Sequence, residues 1–329
     1  MPGATLRKIF IASTRQATET VGALYSAQRA PELGFASVRV SIPPNHVVGQ
    51  LERPKKLPPD PRTEFAIIRP AIYTSENAFV RSINESLAEL PRGSRDVLFF
   101  VHGYNNTTSD AVLRLAQFVE DSNFQGVALL FDWASAAQLT RYVYDLNSAL
   151  IARPQLLKLA NIMNRTNADG YDVFAHSMGA FLTMEAMVDQ VQKGTVNRAG
   201  RLKTITLASP DIDMDLFRTQ LGEIGRKMDG FYVLLSQDDA ALKVSRRLAG
   251  GVPRVGAADS SELAELGVVA IDLSQVSDSS SGSHSKFAGS PEVVRLLGAG
   301  LNNHGRFGNT SSATRLDEFL VNSPIKVVN

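Results

Sequence analysis

Residues 171–180 read Tyr-Asp-Val-Phe-Ala-His-Ser-Met-Gly-Ala, and the reading of the whole chain turns on them. Tyr171–Ala175 is an apolar, strand-like run, and Ala180–Val191 has the composition and spacing of a helix. Between them Ser177 has to sit on a sharp strand-to-helix turn, with its hydroxyl at the tip. Turns of this kind usually read G-x-S-x-G, because strand and helix approach so closely that bulky neighbours do not fit. Here Ala175 takes the first place and Gly179 the last. Alanine is the smallest alternative to glycine, so the pattern is weakened but not broken. As a bare string A-x-S-x-G recurs by chance; the strand before it and the helix after it give it weight.

Outward from this turn, short runs rich in Val, Ile, Leu and Phe alternate with helix-period segments. The expected strands are Lys8–Ser13, Ser37–Ile42, Glu64–Ile68, Asp96–Val101, Val127–Asp132, Tyr171–Ala175, Lys203–Ala208, Gly230–Ser236 and Val268–Leu273. Runs such as VLFFV and VALLF are apolar throughout, as strands buried on both faces are. In Ser109–Asp121 the residues Val112, Leu115, Ala116 and Val119 recur at helical spacing, with Thr108 or Ser109 as the cap. Thr140–Met163 predicts a longer helix interrupted near Pro154, and Ala240–Ala249 one stopped by Gly250-Gly251. This alternation predicts an α/β fold: a mostly parallel central sheet with helices on both faces. The Pro-rich first third predicts extra N-terminal strands, antiparallel and at the sheet edge. The expected organisation is one domain over 1–329, with N-terminal edge strands in 1–90, a core in 91–300 and a loosely structured tail in 301–329.

Composition excludes several classes. The 329 residues are 44% hydrophobic and 20% charged, with net charge +1 and no basic block, which argues against a nucleic-acid or an anionic-membrane surface. Cys is absent, so disulfides, thiolate nucleophiles and Cys metal sites are excluded. No His/Asp/Glu set has metal-ligand spacing, and no glycine-rich phosphate loop is present, so no metal or cofactor is expected. No apolar run approaches the ~18 residues of a membrane span. The N-terminus lacks a signal-like apolar core, giving a cytoplasmic expectation if the chain is complete and a periplasmic or secreted one if a signal was removed.

A serine is a weak nucleophile and needs a base, usually His, held by an acid. On a strand–turn–helix scaffold of this type the order along the chain is Ser, acid, His, with the His after the last strand. Of the five histidines, only His284 and His304 lie late enough, and His284, in the Ser/Gly loop that follows the last expected strand, is favoured. Asp239 is the preferred acid, since it follows Gly230–Ser236; Asp238 and then Asp211 are the alternatives, and helix capping is the competing role for each. Oxyanion donors are expected from the Met178 N–H and from the loop His102-Gly103-Tyr104, at the Tyr104 N–H. His102 and His176 flank the chemistry but are poorly placed to act as base. His46 reads as structural or at a pocket rim. His102 and Trp133 are candidate pocket residues, and segments 134–150 and 250–266 are lid candidates because they border the site.

With these residues assembled, the chain from Phe10 to Phe287 resembles a bacterial α/β-hydrolase family of uncharacterised function, usually placed with esterases and lipases. IASTR is similar to the family's opening strand, VSIPPNHVVGQLERP to its Pro-His-Gly stretch, and FVHGYNN to its oxyanion strand and loop. FDWAS, with Tyr142 and Asp145, resembles its W-x-S…Y-x-x-D segment; AHSMG and LASPDID match the turn and the next strand end. SQDDAAL resembles S-x-x-D-x-A-L, which puts the family's acid on Asp239, and SHSKF puts its histidine on His284. Ala175 and Lys286, the latter where an aromatic is often found, are departures from the pattern. The resemblance implies the α/β-hydrolase fold and a Ser177–His284–Asp239 triad cleaving a small-molecule ester without a cofactor. The same triad would equally serve a thioester, amide or lipid, and a silent hydrolase fold used for binding is the alternative of a different class.

Overall fold

The computed structural model describes residues 3–20, 22–225, 230–278, 282–302 and 323–328. The strands are β1 (Thr5–Ala17), β2 (Tyr25–Ile42), β3 (Ala66–Tyr73), β4 (Asp96–Val101), β5 (Val127–Asp132), β6 (Gly170–His176), β7 (Leu202–Ala208), β8 (Phe231–Leu235), β9 (Val269–Asp272) and β10 (Lys326–Val328). They form one sheet in the order β10-β9-β8-β7-β6-β4-β5-β1-β2-β3. From β9 to β1 every neighbouring pair is parallel; β1–β2, β2–β3 and β9–β10 are antiparallel. β4 lies between β5 and β6, with Val101 beside both Phe131 and Ala175.

The helices are α1 (Glu76–Ala88), α2 (Thr108–Asp121), α3 (Tyr142–Met163), α4 (Met178–Gln192), α5 (Met214–Ile224), α6 (Ala240–Leu248), α7 (Ser260–Glu265), α8 (Lys286–Gly289) and α9 (Pro291–Asn302). Successive strand residues serve two cores. Phe99, Val101, Leu129 and Ala175 pack under α1, α3, α4 and α5, while Leu98, Phe100, Leu130 and Phe174 pack under α2, α8 and α9. Burial on both faces is why VLFFV and VALLF carry no polar alternation.

Several boundaries differ from expectation for identifiable reasons. The α2 cap is Thr107, whose hydroxyl accepts the Asp110 N–H while the Asp110 carboxylate takes the Thr107 N–H. This capping box displaces both Thr108 and Ser109 from the role. α3 runs unbroken through Pro154. Proline denies a bond to the carbonyl four residues earlier, that of Leu150, which lies on the partly solvated side of the helix. β1 is not an edge strand, because it adds in parallel to β5 and only β2 and β3 lie outside it. In the tail, Lys326–Val328 pairs with β9 as a tenth strand.

Candidate active site

Ser177 closes β6 and caps α4 with φ 55° and ψ −121°, a conformation that costs a non-glycine residue ~1–3 kcal/mol. Three backbone bonds hold it there: its N–H donates to the Ala208 carbonyl (2.9 Å), and its carbonyl accepts the N–H groups of Ala180 (3.0 Å) and Asp211 (3.2 Å). The turn needs its two small neighbours. A Cβ on Gly179 would overlap the carbonyl oxygens of His102 and Val101, and one on Gly103 would lie 2.8 Å from the Ser177 Cβ. The loop after β4 is therefore packed directly against the serine. Met178 is the first residue of α4, so its N–H has no acceptor within the helix.

That loop is fixed from beneath. Fully buried Asp132, at the end of β5, accepts from Ser13 Oγ (2.8 Å), Thr108 Oγ1 (2.8 Å) and Arg15 Nε (2.8 Å). Burial would raise the Asp132 pKa, but the Arg15 charge and the His102 and Thr108 contacts outweigh it and hold the carboxyl well below the usual range. The same Arg15 guanidinium donates to the carbonyls of Ser135 (2.8 Å) and Asn106 (2.7 Å). Asp145, also buried, accepts from Ser135 Oγ, the Ala136 N–H (2.7 Å) and the Asn105 N–H (3.4 Å). Asn105 and Ala137 have positive φ of 58° and 53°, so backbone strain collects on both loops around the serine.

Asp239 and His284 meet. His284 Nδ1–H donates to Asp239 Oδ2 at 2.8 Å, and Asp239 is fully buried while the imidazole is partly exposed. Asp239 also caps α6, its Oδ1 accepting the Leu242 N–H (3.0 Å). The neighbouring Asp238 takes a different set: the ammonium of buried Lys286 on both oxygens (2.9 Å each), Ser283 Oγ (2.7 Å) and Ser236 Oγ. Lys286 Nζ also donates to the Leu273 carbonyl (2.9 Å). The segment carrying His284 is thus clamped on both sides of the histidine. Asp211 bonds Tyr142 Oη (3.0 Å) and Ser245 Oγ and lies 3.3 Å from Arg254 Nε, away from His284. His304 lies outside the described residues.

The remaining histidines have other roles. His176 Nε2–H donates to the His284 carbonyl (2.9 Å). Burial, then the nearby His284 charge, push its pKa well below the ordinary value, so it stands neutral. His102 is buried and stacked on Trp133 (centroids 5.0 Å apart, 8° between planes), and Trp133 Nε1–H donates to the His102 carbonyl (2.7 Å). Trp133 is fully enclosed, so the pair supports the loop from within the core. His46 bridges Glu52 (Nδ1, 2.7 Å) and Asp121 (Nε2, 2.6 Å). Segment 254–257, within the stretch expected as a lid, bonds to 210–212 and to Ser236. The Arg15–Asp132 support was not singled out in the sequence; Asp145 and Lys286 entered only as motif positions, and Asp238 only as an alternative acid rather than as the partner of Lys286. Among the described residues no three His, Asp or Glu side chains are grouped as metal ligands, and no helix is long and apolar enough to cross a membrane.

A family model described as alpha/beta hydrolase of unknown function, DUF900, matches residues 75–300. No curated protein matches the chain. Solved structures that are similar include a hyperthermophilic esterase from Pyrobaculum calidifontis, at 12% identity and TM-score 0.38 over 70% of this chain and 94% of that one. A fungal esterase from Rhizomucor miehei is similar at 12% identity and TM-score 0.39 over 92% of this chain and 85% of that one.

Proposed function

This chain belongs to the DUF900 family of alpha/beta hydrolases, and from that premise we propose that it is a serine hydrolase cleaving carboxylic esters through an acyl-enzyme on Ser177. The observation that carries the reading is the buried Asp239 bonded to His284 Nδ1, on the loop after β9, with a strained serine at the end of β6. Ser177 Oγ attacks the ester carbonyl as His284 Nε2 takes its proton. Asp239 keeps the imidazole in the tautomer that leaves Nε2 free to accept, and stabilises the imidazolium that forms. The Met178 and Tyr104 N–H groups bind the oxyanion of the tetrahedral intermediate. His284 returns the proton to the departing alcohol, and water then releases the acid through the same base.

Ser177→Ala should abolish hydrolysis of a p-nitrophenyl acyl ester and labelling by a fluorophosphonate, with the circular dichroism spectrum unchanged. Wild-type rates in that variant would sink the assignment. A folded wild type that neither hydrolyses the ester nor takes the label would favour a silent binding fold instead.

A further inference from the structure

Four large aliphatic side chains stand in solvent beside the proposed site: Leu139 (74% exposed), Val143 (68%), Val244 (53%) and Leu248 (63%). One such residue needs no explanation, but these four stand on segments that are in contact with one another. Val143 follows Tyr142, the first residue of α3, and Val244 precedes Ser245 in α6; Tyr142 Oη and Ser245 Oγ are 3.0 Å apart. Leu139 is tied to the oxyanion loop, because its carbonyl accepts from Tyr104 Oη (2.5 Å), and the Tyr104 ring packs edge-on against Tyr142. α6 itself begins at Asp239, and Val244 and Leu248 lie one turn apart on its outer side.

Basic residues interleave with them. Lys243 and Arg247 run one turn apart beside Val244 and Leu248, Arg246 adjoins them, and Arg141 precedes Val143 by two residues. All four are exposed, and among the described residues none of them is ion-paired. The carboxylates nearby are engaged: Asp145 and Asp211 are buried, and Asp213 caps α5. The α6 macrodipole accounts for cations in its last turn, Arg246 and Arg247, but not for Lys243. It also fails to explain Arg141, which is the N-cap of α3, where a cation opposes the dipole and makes no side-chain capping bond. With a net charge of only +1 on the chain, this positive rim is local.

We propose that this rim docks the protein onto an anionic lipid surface, so that Ser177 meets esters carried by lipid. Exposed aliphatic side chains flanked by Lys and Arg, on one face of α6 and at the start of α3, are what an anionic headgroup layer over acyl chains complements. The substrate half rests on the ester-hydrolase reading above; the docking half does not.

The test is sedimentation of the full chain with phosphatidylcholine vesicles, with and without phosphatidylglycerol, at low and high salt. Wild type and Ser177→Ala should bind the anionic vesicles alike, and high salt should weaken both. Lys243→Gln/Arg247→Gln should lower partitioning about 30-fold, at ~5-fold per basic side chain. Val244→Asp/Leu248→Asp should lower it at least as far, while hydrolysis of a dissolved p-nitrophenyl butyrate is unchanged. No binding to anionic vesicles, or binding that both double variants retain, overturns the proposal. A dimer in solution that Val244→Asp/Leu248→Asp abolishes, without vesicle binding, assigns the rim to a second copy of the chain and overturns it too. Vesicle binding by a protein that neither hydrolyses esters nor labels on Ser177 would leave docking standing and remove the ester-hydrolase reading alone.

Discussion

At the scale of single residues, Asp239 divides its carboxylate between Leu242 N–H on Oδ1 and His284 Nδ1–H on Oδ2. Capping and triad chemistry were competing readings of this aspartate; it makes the cap, and under the proposed mechanism the same side chain would serve both. Asp239→Asn can keep the cap, since an amide oxygen accepts as well, but presents N–H groups to the imidazole and favours the wrong tautomer. The expected result is a kcat lower by ~10³–10⁴-fold with little change in melting temperature, read from ester kinetics and calorimetry together. Lys286 is a second case. Its ammonium is buried against the Asp238 carboxylate and the Leu273 carbonyl, two residues past His284. Lys286→Met keeps most of the packing volume but leaves the Leu273 carbonyl without that donor, at a cost of ~1–3 kcal/mol. Freed of its clamp, the His284 segment should lose kcat more than it raises KM. Equal kinetics for the two proteins would limit Lys286 to a structural role. Burial works to raise the Asp238 pKa, while hydrogen bonds from Lys286, Ser236 and Ser283 lower it below the usual value. This clamp therefore holds above the ordinary carboxylate range and weakens as the pH falls through the lowered value.

At the scale of elements, the His46 stretch shows how a distant segment fixes the histidine loop. Asp121, at the end of α2, holds His46 and also accepts the Gly49 N–H (2.9 Å) and Gln117 Nε2 (3.1 Å). Gln117 Nε2 in turn donates to the Ala288 carbonyl in α8 (2.8 Å), four residues after His284. Burial alone would lower the His46 pKa, but hydrogen bonds and charge from Asp121 and Glu52 outweigh it and hold it up at about 9. A raised value in the folded state means the clamp contributes fully below the ordinary value of 6.5 and is lost as pH rises through about 9. The melting temperature should fall across that window in the wild type, by an amount worth a few kcal/mol at ~1.4 kcal/mol per pKa unit. His46→Gln, uncharged throughout, should lack that fall. A wild-type profile flat from pH 6.5 to 9 would show that the imidazolium contributes nothing to stability.

At the scale of the molecule, what the sequence discloses is set by how local each signal is. β4 and β5 match their expected limits residue for residue, because continuous apolar runs are written in consecutive letters. Ser177 directly follows β6, Asp239 follows β8 by a few residues and His284 lies on the loop after β9, so the hydrogen bond between Asp239 and His284 joins residues that chain order alone had put forward. The supports were not legible in this way. Arg15 finds Asp132 across 117 positions and Lys286 finds Asp238 across 48, and no periodicity announces such pairs. β10 escaped for a related reason: three residues carry too little pattern, and only the exposed edge of β9 makes them a strand. That edge gives the last prediction. Val327 and Val328 pair with Ile271 and Ala270, and Ile325 is buried beside them. Removing residues 323–329 should cost about 2–4 kcal/mol of burial and leave β9 as an open edge, so the melting temperature should fall and aggregation on warming should rise. Ser177 directly follows β6, with β7, β8 and β9 between that strand and the cut, so its fluorophosphonate labelling in the cold should persist. Loss of labelling before any loss of fold would mean that the last strand supports the His284 loop directly, rather than protecting the edge of the sheet.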